Sequence, residues 1–230
     1  MRSEAKGEEE MDFSEAFNRR MSVRAFIKKP VPLEVLKEIF QAALRAPSWG
    51  NTQPWKITVV GGEILQAMIE EFVKKASAGE PPRPDMEIPK EWPESLARRY
   101  KENGRKLFAV LGIGREDKEK RNAHMLNMFR FFGAPQVVYI HIDRKLGPYS
   151  IFDAGLLAQN IALLACAKDL GTCFLAVSVW FTDVVRRHTG IAESDRILIG
   201  MAIGYPDGDA PINHFHSERE PIEDLVRWVE

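Results

Sequence analysis

Short apolar runs that alternate with amphipathic helices constrain the fold of this chain more than any other feature of its sequence. Lys56 to Val60 and Gln136 to Ile142 have the length and β-branched content of buried strands. Thr172 to Val179 and Arg196 to Ile203 have the same character later in the chain. Strands that alternate with helices predict a layered α/β or α+β sheet covered by helices.

The segments between these runs have helical periodicity, with apolar residues recurring every three or four positions. Pro30 and Pro32 hold the link before the second of these helices extended. The predicted helices span Asp12 to Arg20, Leu33 to Leu44, Glu63 to Lys75, Ser150 to Asp169 and Thr182 to His188.

The length of 230 residues favours one domain. Residues 1–11 are dominated by charged side chains and are predicted to be a disordered leader, so the domain spans residues 12–230. Within it, residues 78–132 are predicted to form a mostly helical excursion or lid. Ala78 to Trp92 is too rich in proline for a regular element, and helical patches follow from Pro93 to Phe132.

The end of this excursion is unusually apolar. Two interpretations stay open, a lid over a ligand or partner subunit and an ordinary core helix. The residues concerned are Met125, Leu126, Met128, Phe129, Phe131 and Phe132.

Charge and composition exclude several classes of function. The 32 lysines and arginines nearly cancel the 33 aspartates and glutamates, which argues against binding to nucleic acid or an anionic membrane. The longest apolar stretch, Ala154 to Ala167, is interrupted by polar residues and shorter than the roughly 20 residues of a membrane span. With no apolar signal segment at the N-terminus, the expected location is cytoplasmic.

Common catalytic motifs are absent from the sequence as well. Cys166 and Cys173 match no zinc spacing, and no metal site is predicted. The sequence also lacks a phosphate-binding glycine loop, a dinucleotide fingerprint, a serine nucleophile elbow and a zinc-protease helix. A mononucleotide cofactor held by arginines remains open.

One candidate group of cofactor-binding residues lies directly after the first helix. Arg19, Arg20 and Arg24 surround Ser22. A guanidinium can hold a phosphate through two parallel hydrogen bonds, and a serine hydroxyl can add a third. The alternative is a solvated basic turn that complements the helix dipole.

The second candidate is the loop Pro47-Ser48-Trp49-Gly50-Asn51-Thr52-Gln53-Pro54-Trp55. Its prolines restrict the backbone, and its polar side chains come directly before a buried strand. Those side chains need partners, which an isoalloxazine edge or a network of turn hydrogen bonds would supply.

Taken together, these segments resemble the landmarks of the nitroreductase family. Arg20 to Phe26 and Ala46 to Trp55 carry the first two of six landmarks, and the likeness runs from about residue 12 to the C-terminus. The rest follow in the family's order, namely Asp153-Ala154-Gly155 with Gln159-Asn160, Leu170-Gly171, Ile199 to Pro206 and Arg219-Glu220-Pro221. Many relatives have an arginine or histidine where this chain has Met21, so a phosphate contact there would come from the backbone.

The resemblance implies an α+β homodimer with a central, mostly antiparallel sheet flanked by helices and one FMN at each of two sites between the subunits. Arg20, Met21, Ser22 and Arg24 would serve the FMN, and Arg219 would return to its phosphate. The opposite subunit would border the flavin with its loop, and amides after the third strand would lie along the ring. The residues implied for these two roles are Pro47, Ser48, Asn51, Gln53, Ala176, Val177 and Ser178.

The implied activity is hydride transfer from NADH or NADPH, by a ping-pong mechanism, to nitroaromatic, quinone or related conjugated acceptors. Because FMN carries the chemistry, no dedicated base is expected, and Arg24 is the candidate electrostatic stabiliser. Trp49 and Phe131 are candidates for a planar substrate slot, and Arg98 or Arg99 for a substrate carboxylate. Core packing and a solvated helix face are the respective alternatives for Phe131 and the two arginines.

Three further functions are weighed against this one, and one of them is a structural dimerisation module that binds no cofactor and would be colourless. A reductive dehalogenase or deiodinase-like flavoenzyme would use the same cofactor. A non-catalytic FMN-binding protein would hold a flavin that no nicotinamide can reduce.

Overall fold

A four-stranded sheet lies at the centre of the computed structural model, which describes residues 12–230. The strands follow the order β1-β2-β4-β3, and every neighbouring pair is antiparallel, which confirms the predicted sheet. Their bounds are β1 (Trp55–Gly61), β2 (Gln136–Asp143), β3 (Gly171–Leu175) and β4 (Asp195–Gly204). The predicted leader, residues 1–11, lies outside the described residues.

Eight helices surround the sheet within residues 12–230, and the α+β fold class is confirmed. Several helical bounds agree with the sequence periodicity to within two residues. The helices are α1 (Phe13–Arg19), α2 (Leu33–Ala43), α3 (Gly62–Ser77), α4 (Glu94–Val110), α5 (Lys118–Phe129), α6 (Pro148–Ala167), α7 (Thr182–Thr189) and α8 (Ile222–Leu225).

The sheet is buried on both faces, with β2 in the middle of a three-layer arrangement. Val137 and Tyr139 point into a core shared with α3, α5 and α7. Val138 and Ile140 point to the opposite face, which packs on α2 and α6. Since side chains alternate along a strand, one apolar strand supplies both cores.

Helix α6 is the one helix of residues 12–230 that is long and apolar enough to cross a membrane by length and composition. It packs as a core helix, because Leu157 and Ile161 are fully buried in the α2 side of the core.

The excursion between β1 and β2 contains both irregular chain and helices. Arg83 pairs with Phe181 through a parallel bridge, so the proline-rich part runs back over the α7 end of the domain. Helix α4 packs elsewhere, since Leu107 clusters with Ile212 and Phe215 of the C-terminal segment. Phe129, Phe131 and Phe132 are buried on the α3 side of the core. Of the two interpretations of this apolar stretch, a lid or a core helix, they agree with the core helix.

The third predicted strand needs a correction. It was expected to run to Val179, but β3 ends at Leu175, and Ala176–Val179 form a short 3-10 turn. The Ser178 hydroxyl donates a hydrogen bond to the Leu175 carbonyl at 2.5 Å. Because most of the turn is buried, its side chains are as apolar as those of a strand, although its backbone forms no hydrogen bonds to a neighbouring strand.

Candidate functional site

The segment after α1 is held in an extended conformation along the edge of the sheet. Ser22 forms a bridge with Thr172, and the Val23 N–H donates to the Thr172 carbonyl at 2.9 Å. A Cβ on Gly171 would lie 2.5 Å from Val23 Cγ2. Glycine at this position therefore lets the arginine segment lie against β3.

Arg24 is fixed by local contacts on this segment. Its Nη1 donates to the Ser22 carbonyl at 3.1 Å, and its backbone N–H donates to Asn213 Oδ1 at 2.8 Å. Asn213 also donates to the Ala25 carbonyl at 2.8 Å, which ties the C-terminal segment to the arginine segment. Burial lowers the pKa of His124, and the positive charge of Arg24 lowers it further.

The C-terminal segment then brings a third arginine to the same place. Arg20, Arg24 and Arg219 line one open cavity of about 400 Å³ together with Met21 and Ser22. The lining of this cavity is mainly polar and includes three arginines, which suits a phosphate dianion. The structure thus brings together residues that stand about 200 positions apart in the sequence.

Arg19 faces another direction than these three residues. Its guanidinium pairs with Asp169 at 2.8 Å and with Glu15 at 3.4 Å. The hydrogen bond with Asp169 raises the pKa of Arg19.

The loop before β1 has an unusual backbone. Gly50, Asn51 and Gln53 have φ angles of 59°, 56° and 48°, in the left-handed region that non-glycine residues seldom adopt. The Gln53 N–H donates to Ser48 Oγ at 2.9 Å, so turn hydrogen bonds satisfy part of the loop's polar groups. Such strained residues persist where surrounding contacts hold them, and they concentrate at ligand sites.

One contact to α6 holds this loop in place. The Trp49 N–H donates to the buried carboxylate of Asp153 at 3.1 Å. In the sequence, Asp153 is marked only as part of a family landmark. A carboxylate that accepts a hydrogen bond from a distant backbone amide leaves no pattern in the neighbouring residues.

Beside this contact lies an exposed aromatic group. Trp49, Tyr149 and Phe152 are 66%, 66% and 65% exposed, and Trp49 meets Tyr149 edge-to-face with ring centroids 4.7 Å apart. With Pro47 and Ser48 they border a shallow apolar depression. Exposed aromatic side chains in such a cluster are typical of binding surfaces.

The arginine cavity and the aromatic depression are separate sites within residues 12–230, since no residue lines both. Apart from Ala176, Val177 and Ser178, the predicted flavin-binding residues therefore divide into an arginine group and a loop group on one chain. The first group is Arg20, Met21, Ser22, Arg24 and Arg219, and the second is Pro47, Ser48, Asn51 and Gln53.

The residues Ala176, Val177 and Ser178 lie on the 3-10 turn after β3. A Cβ on Gly200 of β4 would lie 2.3 Å from Ser178 Oγ, so the turn packs directly on the sheet. The Tyr139 hydroxyl donates to the Ser178 carbonyl at 3.3 Å, and full burial raises the pKa of Tyr139. Only Ala176 of the three residues is exposed.

The predicted substrate residues have different surroundings. Arg98 is exposed on α4, whereas Arg99 pairs with Glu220 at 2.7 Å. Phe131 is fully buried and packs edge-to-face on Phe72, which places it in the core.

Sequence reasoning did not find Asn103 of α4, which also lines the arginine cavity. It lies in the middle of a charged helix, and no motif marks it. Only the docking of α4 on the C-terminal segment brings it to the cavity.

Comparison with known proteins agrees with this description. A sequence model described as "Nitroreductase family" matches residues 18–205. A "NADH dehydrogenase" of Thermus thermophilus is 52% identical, with 95% of this chain and 96% of the relative covered. A "4-nitrobenzoate reductase" of Pseudomonas putida is 33% identical, with 95% and 96% covered.

Among solved structures, an "FMN and NADPH-dependent nitroreductase" of Sphigopyxis sp. strain HMH superposes with a TM-score of 0.92. It is 35% identical to this chain and covers 96% of it, and all of the solved chain is matched.

Proposed function

Because the chain belongs to the nitroreductase family, we propose that it is an FMN-dependent oxidoreductase that reduces nitroaromatic, quinone or related conjugated acceptors with NADH or NADPH. The relatives named above support the cofactor and both donors, since one is FMN- and NADPH-dependent and another is an NADH dehydrogenase. We further propose a cytoplasmic location.

The arginine cavity carries this proposal. FMN, unlike riboflavin, has a phosphate, and Arg20, Arg24 and Arg219 line one polar cavity, where guanidinium groups suit an anion. Ser22 lines the same cavity. We therefore assign the FMN phosphate to Arg20 and Arg219, with Met21 contributing its backbone.

A homodimer accounts for the separation of the two groups of predicted flavin residues. In our proposal, the loop of the second subunit borders the flavin through Pro47, Ser48, Asn51 and Gln53. The exposed aromatic surface around Trp49 supports this assignment, because a partner subunit and bound flavin would cover it. The described domain, residues 12–230, then functions as one half of each site.

Bound FMN would supply the chemistry of hydride transfer between the nicotinamide and the acceptor. The chain's own contribution is binding, orientation and electrostatics. Arg24 is our candidate for stabilising the added negative charge, because Ser22 and Asn213 hold it in place. The backbone of Ala176, Val177 and Ser178 would contact the ring system.

We propose that donor and acceptor occupy the same site in turn, which is a ping-pong mechanism. An open, flat site beside Trp49 suits planar molecules of either kind. Trp49 and Arg98 are exposed and remain our candidates for acceptor contacts. Arg99 is held by Glu220, and Phe131 contributes to the core.

The test is the visible spectrum of the purified protein, before and after anaerobic addition of NADH or NADPH. We expect the absorbance band of oxidised flavin, and we expect it to bleach. Arg219→Ala should weaken FMN binding, whereas Lys37→Ala, which removes an exposed charge paired with Glu34, should not. A colourless protein that FMN cannot reconstitute would refute the proposal, and a flavin that no nicotinamide reduces would indicate a non-catalytic flavin-binding protein.

A further inference from the structure

Helix α4 is attached to the segment that carries Arg219 by two ion pairs. Lys106 Nζ lies 2.6 Å from Glu218 Oε1, and Arg99 Nε lies 2.7 Å from Glu220 Oε1. These two carboxylates flank Arg219 directly in the sequence. An arginine of the proposed phosphate site therefore stands between two acidic residues, each paired with a cation from α4.

The spacing along α4 makes this arrangement possible. Positions 99, 103 and 106 fall on one face of a helix, because side chains three, four and seven positions apart point the same way. The first and last hold the two glutamates, and Asn103 lines the arginine cavity. Leu107, one position further, packs on Ile212 and Phe215 and anchors the helix to the same segment.

Arg219 itself is tethered through a single nitrogen. Its Nη1 donates to the Ser217 carbonyl at 3.0 Å, to Ser217 Oγ at 2.8 Å and to the Glu218 carbonyl at 2.9 Å. Its position therefore depends on the path of the Ser217–Glu218 backbone.

We propose that Lys106 and Arg99 are positioning residues for the cofactor phosphate, acting through Glu218 and Glu220 on Arg219. Without the two cations, both carboxylates would be unpaired beside Arg219. They would compete for its guanidinium and repel a phosphate dianion in the adjoining cavity. The helix of the excursion and the cofactor site are thereby coupled, and this inference rests on the proposed function.

The experiment compares the Kd of FMN with the Kd of riboflavin, which lacks the phosphate. In Lys106→Ala we expect the Kd of FMN to rise about two- to fivefold, the range expected for a partly exposed charge pair. The Kd of riboflavin should stay the same. Lys101→Ala is the matched control, because it removes the same charge from an exposed position of the same helix.

Removal of the unpaired carboxylate should restore binding. We expect Lys106→Ala combined with Glu218→Gln to return the Kd of FMN to within twofold of the wild type, an estimate based on the same pair energies. Arg99→Ala and its combination with Glu220→Gln should behave in the same way. Restoration by a second mutation would not follow from general damage to the fold.

Three outcomes would separate this inference from the proposed function. If the wild type does not bind FMN, the proposed function fails and the inference fails with it. If the wild type binds FMN but Lys106→Ala and Arg99→Ala match Lys101→Ala, only the inference is wrong. Equal weakening of FMN and riboflavin binding would also overturn it, because that result indicates a structural role without a link to the phosphate.

Discussion

The backbone N–H of Trp49 donates a hydrogen bond to the carboxylate of Asp153, 104 positions away on α6, at 3.1 Å. Asp153 is 4% exposed, so the loop with three left-handed residues is fixed by a buried side chain of α6 and not by its own sequence alone. A buried donor or acceptor that loses its partner costs about 1–3 kcal/mol.

Substitution at this carboxylate tests its role in holding the loop. We expect Asp153→Ala to lower the free energy of unfolding by about 1–3 kcal/mol, since the Trp49 N–H loses its acceptor. Asp153→Asn keeps an acceptor oxygen and should cost less. Urea titration of both variants measures the difference, and equal stability of the alanine variant and the wild type would contradict the assignment.

The approach of the arginine segment to β3 gives a second prediction. Gly171→Ala would place a Cβ 2.5 Å from Val23 Cγ2, and we expect about 1–3 kcal/mol of destabilisation from this overlap. Weaker FMN binding should accompany it, because Arg20 and Arg24 belong to the displaced segment.

The controls for Gly171→Ala separate overlap from a general effect of glycine replacement. Val23→Ala in the same chain should restore part of the stability. Gly104→Ala in α4 meets no atom within 4 Å and should stabilise the helix by about 0.5–1 kcal/mol. A loss at Gly104 as large as that at Gly171 would rule out the steric explanation.

A buried cluster around Asp85 anchors the proline-rich part of the excursion. Its carboxylate pairs with Arg186 at 2.8 Å and with Arg144, and it accepts from the Ile197 N–H at 2.8 Å. Asp85 and Arg186 are each 8% exposed at the side chain. The proline-rich segment is therefore fastened to β4 and α7 at this point.

Loss of this carboxylate should be costly. We expect Asp85→Ala to destabilise the protein by about 3–5 kcal/mol, because it removes the buried carboxylate that pairs with Arg186 and leaves that arginine only the exposed carboxylate of Glu193. Glu34→Ala, which removes an exposed partner of Lys37, should change stability by less than about 1 kcal/mol. Thermal unfolding of the two variants in parallel measures the contrast, and similar melting temperatures would contradict it.

The fourth prediction concerns pH and a polar chain across the sheet. His141 is buried between Thr58 Oγ1, 3.0 Å from Nε2, and Asp195 Oδ2, 2.8 Å from Nδ1. Burial lowers the pKa of His141, although Asp195 pulls it in the opposite direction, and the cations Lys56 and Arg186 nearby lower it further. Burial raises the pKa of Asp195, but hydrogen bonds from Lys56 and His141 outweigh this effect and keep the pKa below its ordinary value.

Because the folded pKa of His141 lies below the unfolded value of about 6.5, the unfolded chain takes up the proton first as the pH falls. The contribution of His141 to stability is therefore complete above about pH 6.5 and declines from there down to the folded pKa. That of Asp195 is present above its unfolded pKa of about 3.9 and is lost as the pH falls through the lower folded value.

Urea titrations between neutral and acidic pH measure this dependence. We expect His141→Gln to flatten the decline below about pH 6.5. An identical pH profile for His141→Gln and the wild type would contradict the assignment. If His141→Gln does not fold, NMR titration of the His141 ring in the wild type gives its pKa directly.

Much of the fold could be predicted from local patterns. The four strands and the longer helices were expected near their observed positions, because burial on a sheet face or a helix face imposes a period on the sequence. The predicted end of the third strand was wrong, since an apolar buried turn and an apolar strand have the same composition. The hydrogen bond of the Ser178 hydroxyl to the Leu175 carbonyl closes the turn. Apolar composition does not predict this bond.

The sequence by itself determined the elements, the antiparallel α+β class through the family resemblance, and the types of residue available to hold a phosphate. Only the tertiary structure decided that Asn103 of α4 lines the cavity of Arg20, Arg24 and Arg219, that Arg19 pairs with Asp169, and that Asp153 holds the Trp49 loop. Secondary structure follows from neighbours a few positions apart, whereas these contacts join residues 100 or more positions apart and depend on how the packed layers bring them together.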